Sequence, residues 1–176
     1  PGEQYLWARH NAGFRVLERL AERGDLRFGT PRNQSRVARG VVSSIPVALL
    51  QPLTYVNLSG KSVSQALGKL GLKPEDMLVV HDDIDLPFGR LRLRPRGGAA
   101  GHKGVRSVID SISSSNFPRL RVGIGRPTNG DVREYVLSPF STQEEAALGD
   151  ILERAASAIE CYLANGIEAA MNEYNR

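Results

Sequence analysis

The chain has 176 residues, of which 41% are hydrophobic and 24% charged, and its formal net charge is +4. A chain of this length forms one domain with an adequate core, without needing disulfides or a structural metal. The single cysteine, Cys161, excludes a disulfide framework and a cysteine-based zinc site, and it favours a reducing compartment. No apolar run approaches the roughly 18 residues of a membrane span, so we expect neither a membrane segment nor a signal peptide.

The first helical pattern lies near the start of the chain. Val16, Leu17 and Leu20 share one face, and Gly24 provides a stop. His10 therefore lies at the start of a helix, where backbone N–H groups and the helix dipole disfavour a charged imidazolium and favour a neutral ring. A neutral imidazole suits general-base catalysis. A structural or merely exposed histidine is the alternative.

Residues 25–53 are typical of two short strands joined by polar turns, and Pro52 ends the second strand. Asn57 comes next, before a helix whose apolar positions run from Val63 to Leu70. A side-chain amide at a strand-to-helix junction lies on the side of an α/β sheet where sites collect. An ordinary turn asparagine is the alternative interpretation of Asn57.

The segment over residues 79–104 contains two of the three histidines of the chain. The apolar run over residues 77–80 is typical of a short strand buried on both faces. His81, Asp82 and Asp83 follow at its carboxyl end, where open α/β sheets collect their sites. The sequence therefore predicts that this segment forms the functional centre of the protein.

The chain continues with further strands and helices. Residues 90–94 alternate arginine and leucine as a strand, and a small-residue loop leads into a helix that ends near Ser113. Residues 117–126 alternate as another strand, and we expect an irregular connection over residues 128–142.

A long helical pattern begins at Glu144, and Gly166 breaks it before a last short helix. Strands that alternate with helices predict a single α/β domain over residues 1–176. We expect a twisted, mixed, mostly parallel sheet flanked by helices.

The basic residues are concentrated in one part of the chain. Between positions 90 and 126 there is one acidic residue and there are nine basic ones: Arg90, Arg92, Arg94, Arg96, Lys103, Arg106, Arg119, Arg121 and Arg126. From Asp131 onward the balance inverts, with nine acids and three bases. A basic segment beside an acidic helical tail predicts that one face of the protein meets a polyanion. Arginines that are merely solvated are the alternative.

Four motifs in order resemble the bacterial-type peptidyl-tRNA hydrolase family, and together they span nearly the whole chain. They are PGxxYxxxRHNxGF at residues 1–14, PxTYxNLSG at 52–60, HDDxDLPxG at 81–89, and GHxG at 101–104 with FxRLRxGIG at 117–125. The resemblance implies hydrolysis of the ester that joins a peptide to the 3′ ribose of tRNA. It further implies a mechanism with no metal or other cofactor and no membrane partner. We expect a location in the bacterial cytoplasm, with an organelle as the alternative. We expect a monomer.

The resemblance also implies roles for individual residues. His10 matches the base that activates a water, Asp82 the carboxylate that orients this histidine, and Asn57 the amide that positions substrate or stabilises the oxyanion. The remaining matches are with substrate-binding positions (Tyr5, Asn57, His102 and Lys103) and with positions that bind tRNA phosphate (Arg94, Arg121 and Lys103).

The residues support this chemistry without the family name. Ester hydrolysis at neutral pH needs a base with a pKa near 7, and a histidine oriented by a carboxylate meets that need. The Gly-x-Ser-x-Gly nucleophile motif is absent, and no catalytic cysteine accompanies a base, so direct attack by water is the simpler scheme. The three histidines are dispersed along the chain without a metal-ligand spacing, which argues against a metal site.

Three features depart from the family pattern. The family begins with a buried strand that ends in Gly-Asn, directly before the pair that is Pro1 and Gly2 here, so we expect a native strand ahead of this chain. Val56 stands where a methionine commonly precedes the asparagine matched to Asn57, which we expect to alter packing only. Lys103 stands where the family commonly has asparagine, and its cation could instead meet tRNA phosphate.

Two other functions are compatible with parts of the pattern. A catalytically silent RNA-binding relative would share the fold, as plant organellar splicing factors do, but the intact set of His10, Asp82 and Asn57 favours an enzyme. A small-molecule esterase or amidase would not need the arginine strand. Salt dependence of substrate binding separates RNA from a small ester.

Overall fold

The computed structural model describes Tyr5 and residues 7–176. Pro1 and Gly2 of the first motif lie outside the described residues. The helices are α1 (Ala12–Arg23), α2 (Ser59–Leu70), α3 (Lys103–Ile112), α4 (Val132–Leu137) and α5 (Thr142–Tyr174), and the strands are β1 (Ser35–Val42), β2 (Ile45–Pro52), β3 (Val79–Asp83), β4 (Leu91–Arg94) and β5 (Arg119–Gly123). Short 3₁₀ turns at Arg9–Asn11 and Val56–Leu58 precede α1 and α2.

The described strands form two sheets. β1 and β2 make an antiparallel hairpin, and the second sheet has the order β3-β5-β4, with β5 parallel to β3 and antiparallel to β4. The prediction of an α/β fold with a mixed sheet is confirmed. Among the described residues the mixed sheet has one parallel and one antiparallel pairing, so it is less parallel than expected, because β1 and β2 form a separate hairpin and β4 returns antiparallel to β5.

Helix α1 packs closely on β3 at Gly13. A side chain at this position would overlap the backbone carbonyl of Val80, so only glycine permits the observed distance between helix and strand. Val16 and Leu20 of α1 are buried in the main hydrophobic cluster with the inward face of α5. The close contact places the start of α1 beside the carboxyl end of β3.

The acidic helix α5 packs against α1 and β4. Its first turn is held by a reciprocal cap between Ser141 and Glu144, and Gly166 interrupts it with a φ of 83°, as the sequence predicted. The acids of α5 form ion pairs with the arginines of α1: Arg15 with Glu145, Arg19 with Glu153, and Arg23 with Glu153 and Glu160. These contacts hold the helix on the body of the protein.

The prediction of an irregular connection over residues 128–142 is wrong for the middle of this segment, which forms α4. Asp131 caps this helix by accepting a hydrogen bond from the backbone N–H of Arg133. Six residues are too few for a clear helical period, so the pattern of apolar residues did not reveal it.

A large cavity of about 1310 Å³ lies between β3, the β1–β2 hairpin and the helices α1, α2 and α5. β3 forms an edge of its sheet, with no strand partner on its other side among the described residues. Apolar side chains line much of the cavity, and His10, Asp82 and His102 are also part of its lining. Among the helices of the described part, none is long and apolar enough to cross a membrane.

Candidate active site

All three histidines of the chain meet at the carboxyl end of β3, around Asp82. The Nδ1 atom of His10 lies 2.7 Å from Oδ1 of Asp82, and Nε2 of His102 lies 3.0 Å from the same oxygen. The Nδ1 atom of His81 lies 2.7 Å from the backbone carbonyl oxygen of Asp82. The histidines are therefore dispersed only in sequence, because the fold brings them to one residue.

The imidazole rings form a contiguous group. The ring centroids of His10 and His102 are 5.0 Å apart, and those of His81 and His102 are 4.8 Å apart in an edge-on arrangement. Asp82 is 3% exposed, whereas His10 and His102 are partly exposed. The carboxylate is thus buried behind two histidines that solvent reaches.

Burial and hydrogen bonding have opposite effects on Asp82. Burial raises the pKa of its carboxyl, but the hydrogen bonds from His10 and His102 outweigh burial and hold that pKa well below its usual value. Burial, followed by the charge of His102, lowers the pKa of His81 to about 4. At neutral pH the site therefore contains an ionised Asp82 beside a neutral His81.

His102 also begins helix α3. Its Nδ1 atom accepts a hydrogen bond from the backbone N–H of Val105 at 3.1 Å, which makes His102 the cap of the helix. An Nδ1 that accepts a hydrogen bond carries no proton, so the proton of the neutral ring is on Nε2. That nitrogen donates to Asp82.

The cluster of His10, Asp82 and His102 could also hold a metal ion, since their ligand atoms lie within 4.8 Å of one another. A metal-binding histidine offers one nitrogen to the ion and usually donates a hydrogen bond from the other. His102 has the reverse arrangement, because its outer nitrogen accepts from Val105 and its inner nitrogen carries the proton. The geometry fits a hydrogen-bonded cluster better than a metal site.

Two polar contacts hold the segment before α1. The side-chain amide of Asn11 donates to the backbone carbonyl of Tyr5 at 2.6 Å, which fixes Tyr5 next to His10. The guanidinium of Arg9 is buried under the rings of Tyr135 and Phe140 and pairs with Glu144 at 2.7 Å. The short turn that carries His10 is thus held by the contacts of Arg9 before it and of Asn11 after it.

Asn57 and Lys103 line a second, smaller cavity of about 250 Å³, next to the start of α3. Asn57 is exposed, whereas its neighbour Val56 lines the large cavity together with His10. The turn that carries both residues packs against α3. Asn57 therefore lies at the edge of the histidine cluster, on a different cavity from His10 and Asp82.

The basic strand has the arrangement that the alternation predicts. Arg92 lies opposite Arg121 in the register of β4 and β5, and Arg94 lies opposite Arg119, so all four are on one face of the sheet. Arg94 is exposed, and Nε of Arg121 donates to the carboxylate of Asp83. Arg119 is buried and donates to the carbonyls of Gly98 and Ser115, so it supports the loop rather than the surface.

Sequence reasoning missed two contributors to the site. His81 was seen as part of a polar cluster, but nothing in its spacing showed that its ring bonds to the backbone of Asp82. The anchoring of Arg9 by Glu144 joins residues that are 135 positions apart, which no local pattern reports. The signal that marks Arg9 in the sequence is its place in the first motif, next to His10.

The fold and the cluster together define an α/β protein with a histidine–carboxylate pair at the carboxyl end of a strand. The family model of peptidyl-tRNA hydrolase matches residues 1–176. The chain is 47% identical to a peptidyl-tRNA hydrolase of Chloroflexus aggregans over 99% of its length and 94% of the relative, and 45% identical to one of Syntrophomonas wolfei over 99% and 95%.

Solved structures give the same result. The crystal structure of the peptidyl-tRNA hydrolase of Acinetobacter baumannii at 1.00 Å superimposes with a TM-score of 0.93 and 34% identity, covering 99% of this chain and 90% of the other. The chain belongs to the peptidyl-tRNA hydrolase family, as the four motifs predicted.

Proposed function

We propose that the protein hydrolyses the ester that joins a peptide to the 3′ ribose of tRNA, releasing the peptide and free tRNA. The observation that supports this most directly is the 2.7 Å contact between Nδ1 of His10 and Asp82. A carboxylate at this nitrogen keeps the Nδ1 proton in place and leaves the lone pair of Nε2 available to accept a proton. Lys103, which follows His102 directly, is exposed, and a cation at this position suits RNA phosphate.

In this mechanism His10 acts as the general base. Its Nε2 takes a proton from a water molecule while the water oxygen bonds to the ester carbonyl carbon. The resulting oxyanion intermediate then collapses and expels the ribose 3′ oxygen, which receives the proton from the imidazolium of His10. Asp82 stabilises the transient imidazolium and does not itself become protonated.

The neighbouring residues have supporting roles in this proposal. The amide of Asn57 donates to the developing oxyanion or to the substrate, which contributes about 10²-fold where such a donor is well placed. Its exposed position suggests that substrate completes this contact. Lys103 lines the same small cavity as Asn57, and in this proposal Lys103 and Tyr5 bind the end of the substrate.

Arg94, Arg121 and Lys103 bind the tRNA backbone. Arg94 and Lys103 are exposed, and Arg121 keeps two guanidinium nitrogens for phosphate while its Nε bonds to Asp83. Contacts of this type are independent of sequence and weaken with salt. They distinguish the proposal from a small-molecule esterase, for which substrate binding would hardly depend on salt.

The experiment is hydrolysis of N-acetyl-aminoacyl-tRNA by the native chain and by His10→Ala, with unblocked aminoacyl-tRNA as the control substrate. We expect turnover of the blocked substrate by the native chain and its loss in the variant. RNA binding without turnover would contradict the proposal and favour a silent relative. Turnover that survives in His10→Ala would show that another residue is the base.

We further infer that the protein acts in the cytoplasm, since tRNA is a cytoplasmic substrate and Cys161 is a free thiol. We also infer that it acts as a monomer. Light scattering coupled to size exclusion tests the oligomeric state. A mass near 19.2 kDa is expected, and a stable dimer would contradict the inference.

A further inference from the structure

We propose that His102 is a positioning residue: the start of helix α3 fixes which ring nitrogen carries its proton, and that proton holds the carboxylate of Asp82 in place against His10. This inference rests on the proposed function for the role of His10. It assigns to His102 an action through Asp82, in place of the substrate contact that the family resemblance implies.

The first step is the identity of the protonated nitrogen. The backbone N–H of Val105 points at Nδ1 of His102 over 3.1 Å, and a backbone N–H can only donate. Nδ1 must therefore offer its lone pair, and the neutral ring keeps its proton on Nε2. The opposite tautomer would place two protons against each other at the helix start and two lone pairs against each other at Asp82.

The second step is that two donors share one acceptor. The Nε2–H of His102 and the Nδ1–H of His10 both lie within hydrogen-bonding distance of Oδ1 of Asp82, at 3.0 and 2.7 Å. A second donor on this oxygen orients the carboxylate and disperses part of its negative charge. Asp82 then stabilises a proton on His10 less strongly than a carboxylate that accepts from His10 alone would. This difference favours the neutral form of His10, which is the base.

His102 is the main further hydrogen-bond partner of the pair formed by His10 and Asp82. Among the residues that the structure describes, the histidines packed around His10 and Asp82 are His81 of β3 and His102 before α3. Arg9 lies next to His10 in the chain, but its guanidinium pairs with Glu144 of α5. His81 is buried and neutral, and its ring packs on the ring of His102 at 4.8 Å, which restricts how that ring can turn.

Two substitutions separate the two bonds of His102. The oxygen of an asparagine side chain lies near the position of Nδ1, so His102→Asn keeps an acceptor for the helix start and removes the donor to Asp82. The amide nitrogen of a glutamine reaches near the position of Nε2, so His102→Gln keeps a donor to Asp82 and removes the cap. The variants form a matched pair, each retaining the bond that the other loses.

The measurement is ¹⁵N NMR of the imidazole nitrogens, with a pH titration of His10, in the native chain and both variants. In the native chain His102 should carry its proton on Nε2. We expect His102→Asn to melt near the native temperature, while proton uptake by His10 moves to higher pH by about half a unit or more. We expect His102→Gln to melt lower, while proton uptake by His10 stays near the native pH.

The acid limb of kcat/KM should move in parallel with the His10 titration. A proton on Nδ1 of His102 in the native chain would overturn the proposal, and so would His102→Asn with an unchanged His10 titration and only a raised KM, which is the result expected for a substrate contact. The NMR titration needs no turnover. If the chain shows no hydrolysis while His10 titrates as described, that result would contradict the proposed hydrolase function and still support the positioning role of His102.

Discussion

Asp82 is the single residue on which the site depends, because all three histidines bond to it. Its carboxylate accepts from His10 and His102, and its backbone carbonyl accepts from His81. The sequence placed His10 at a helix start and Asp82 at a strand end, and the family resemblance implied that the two side chains pair. The second histidine bond could not be predicted, because it depends on where the loop before α3 returns in space.

Replacing Asp82 by asparagine should abolish most activity while leaving the fold intact. The amide of Asp82→Asn can donate to Nδ1 of His10, which moves the His10 proton to Nε2 and removes the base. We expect kcat to fall by about 10³-fold or more in hydrolysis of N-acetyl-aminoacyl-tRNA. Asp83→Asn is the matched control, since Asp83 faces Arg121, and it should change KM rather than kcat. Equal losses in kcat would contradict this assignment.

The buried His81 should make stability depend on pH. Burial lowers its pKa in the folded protein from 6.5 to about 4. The unfolded chain therefore binds more protons than the folded one between these values, and stability falls as pH decreases through this window, by about 3 kcal/mol at most. Asp82, whose pKa is lowered, adds no slope above about pH 5, where it is ionised in both states, and adds a slope of the same sign below that pH.

Urea unfolding between pH 7 and pH 4 measures this slope. His81→Gln is the comparison, since glutamine does not titrate, and its profile should be flatter than that of the native chain over the same window. Parallel profiles for the two proteins would show that another group causes the pH dependence.

At the level of elements, the site depends on how closely α1 approaches β3. A methyl group at Gly13 would overlap the carbonyl of Val80, so Gly13→Ala must push the helix away and draw His10 from Asp82. We expect a loss of about 1–3 kcal/mol in the free energy of unfolding, with a fall in kcat.

Gly68→Ala is the matched control for this prediction. Gly68 lies inside α2, and nothing lies within 4 Å of a side chain added there. Alanine should stabilise the protein by about 0.5–1 kcal/mol without affecting kcat. A Gly13→Ala variant that behaves like Gly68→Ala would show that the contact with β3 is not needed.

The elements show which parts of a fold a sequence can predict. The break at Gly166 and the end of α3 near Ser113 follow from local chemistry, and both were predicted. Helix α4 was missed because its six residues carry no clear period, and its stability depends on Asp131 as a cap. The pairing between Arg121 and Asp83 was also missed, since register between distant strands is a property of the folded sheet.

At the level of the whole molecule, the charged groups differ in their surroundings. The acids of α5 are paired with arginines of α1, whereas Arg94 and Lys103 are exposed. RNA affinity should therefore decrease with salt, and Arg94→Ala should reduce the slope of log K against log salt by about 1. Arg23→Ala, on the paired side, should leave the slope unchanged. Equal slopes in all three proteins would place the RNA elsewhere.

The large cavity beside β3 leads to a last prediction about the whole fold. Among the described residues β3 pairs with a strand on one side only, and apolar side chains of β2, α2 and α5 line the space next to its other edge. An extended apolar segment would pair with that edge and fill the cavity, which removes two unfavourable features at once. The backbone carbonyl of Tyr5 accepts from Asn11, next to His10 at the carboxyl end of β3, and an extension placed ahead of Pro1 tests whether the edge accepts a strand.

We expect a strand-forming extension of this kind, rich in valine and isoleucine, to raise Tm by about 2–4 °C for each kcal/mol gained. An extension of the same composition with a central proline is the matched control, because proline cannot donate to the ladder and should give little gain. Hydrogen exchange of the amides of β3 should slow only with the first extension. Equal Tm values for both extensions would mean that the edge of β3 does not accept a strand.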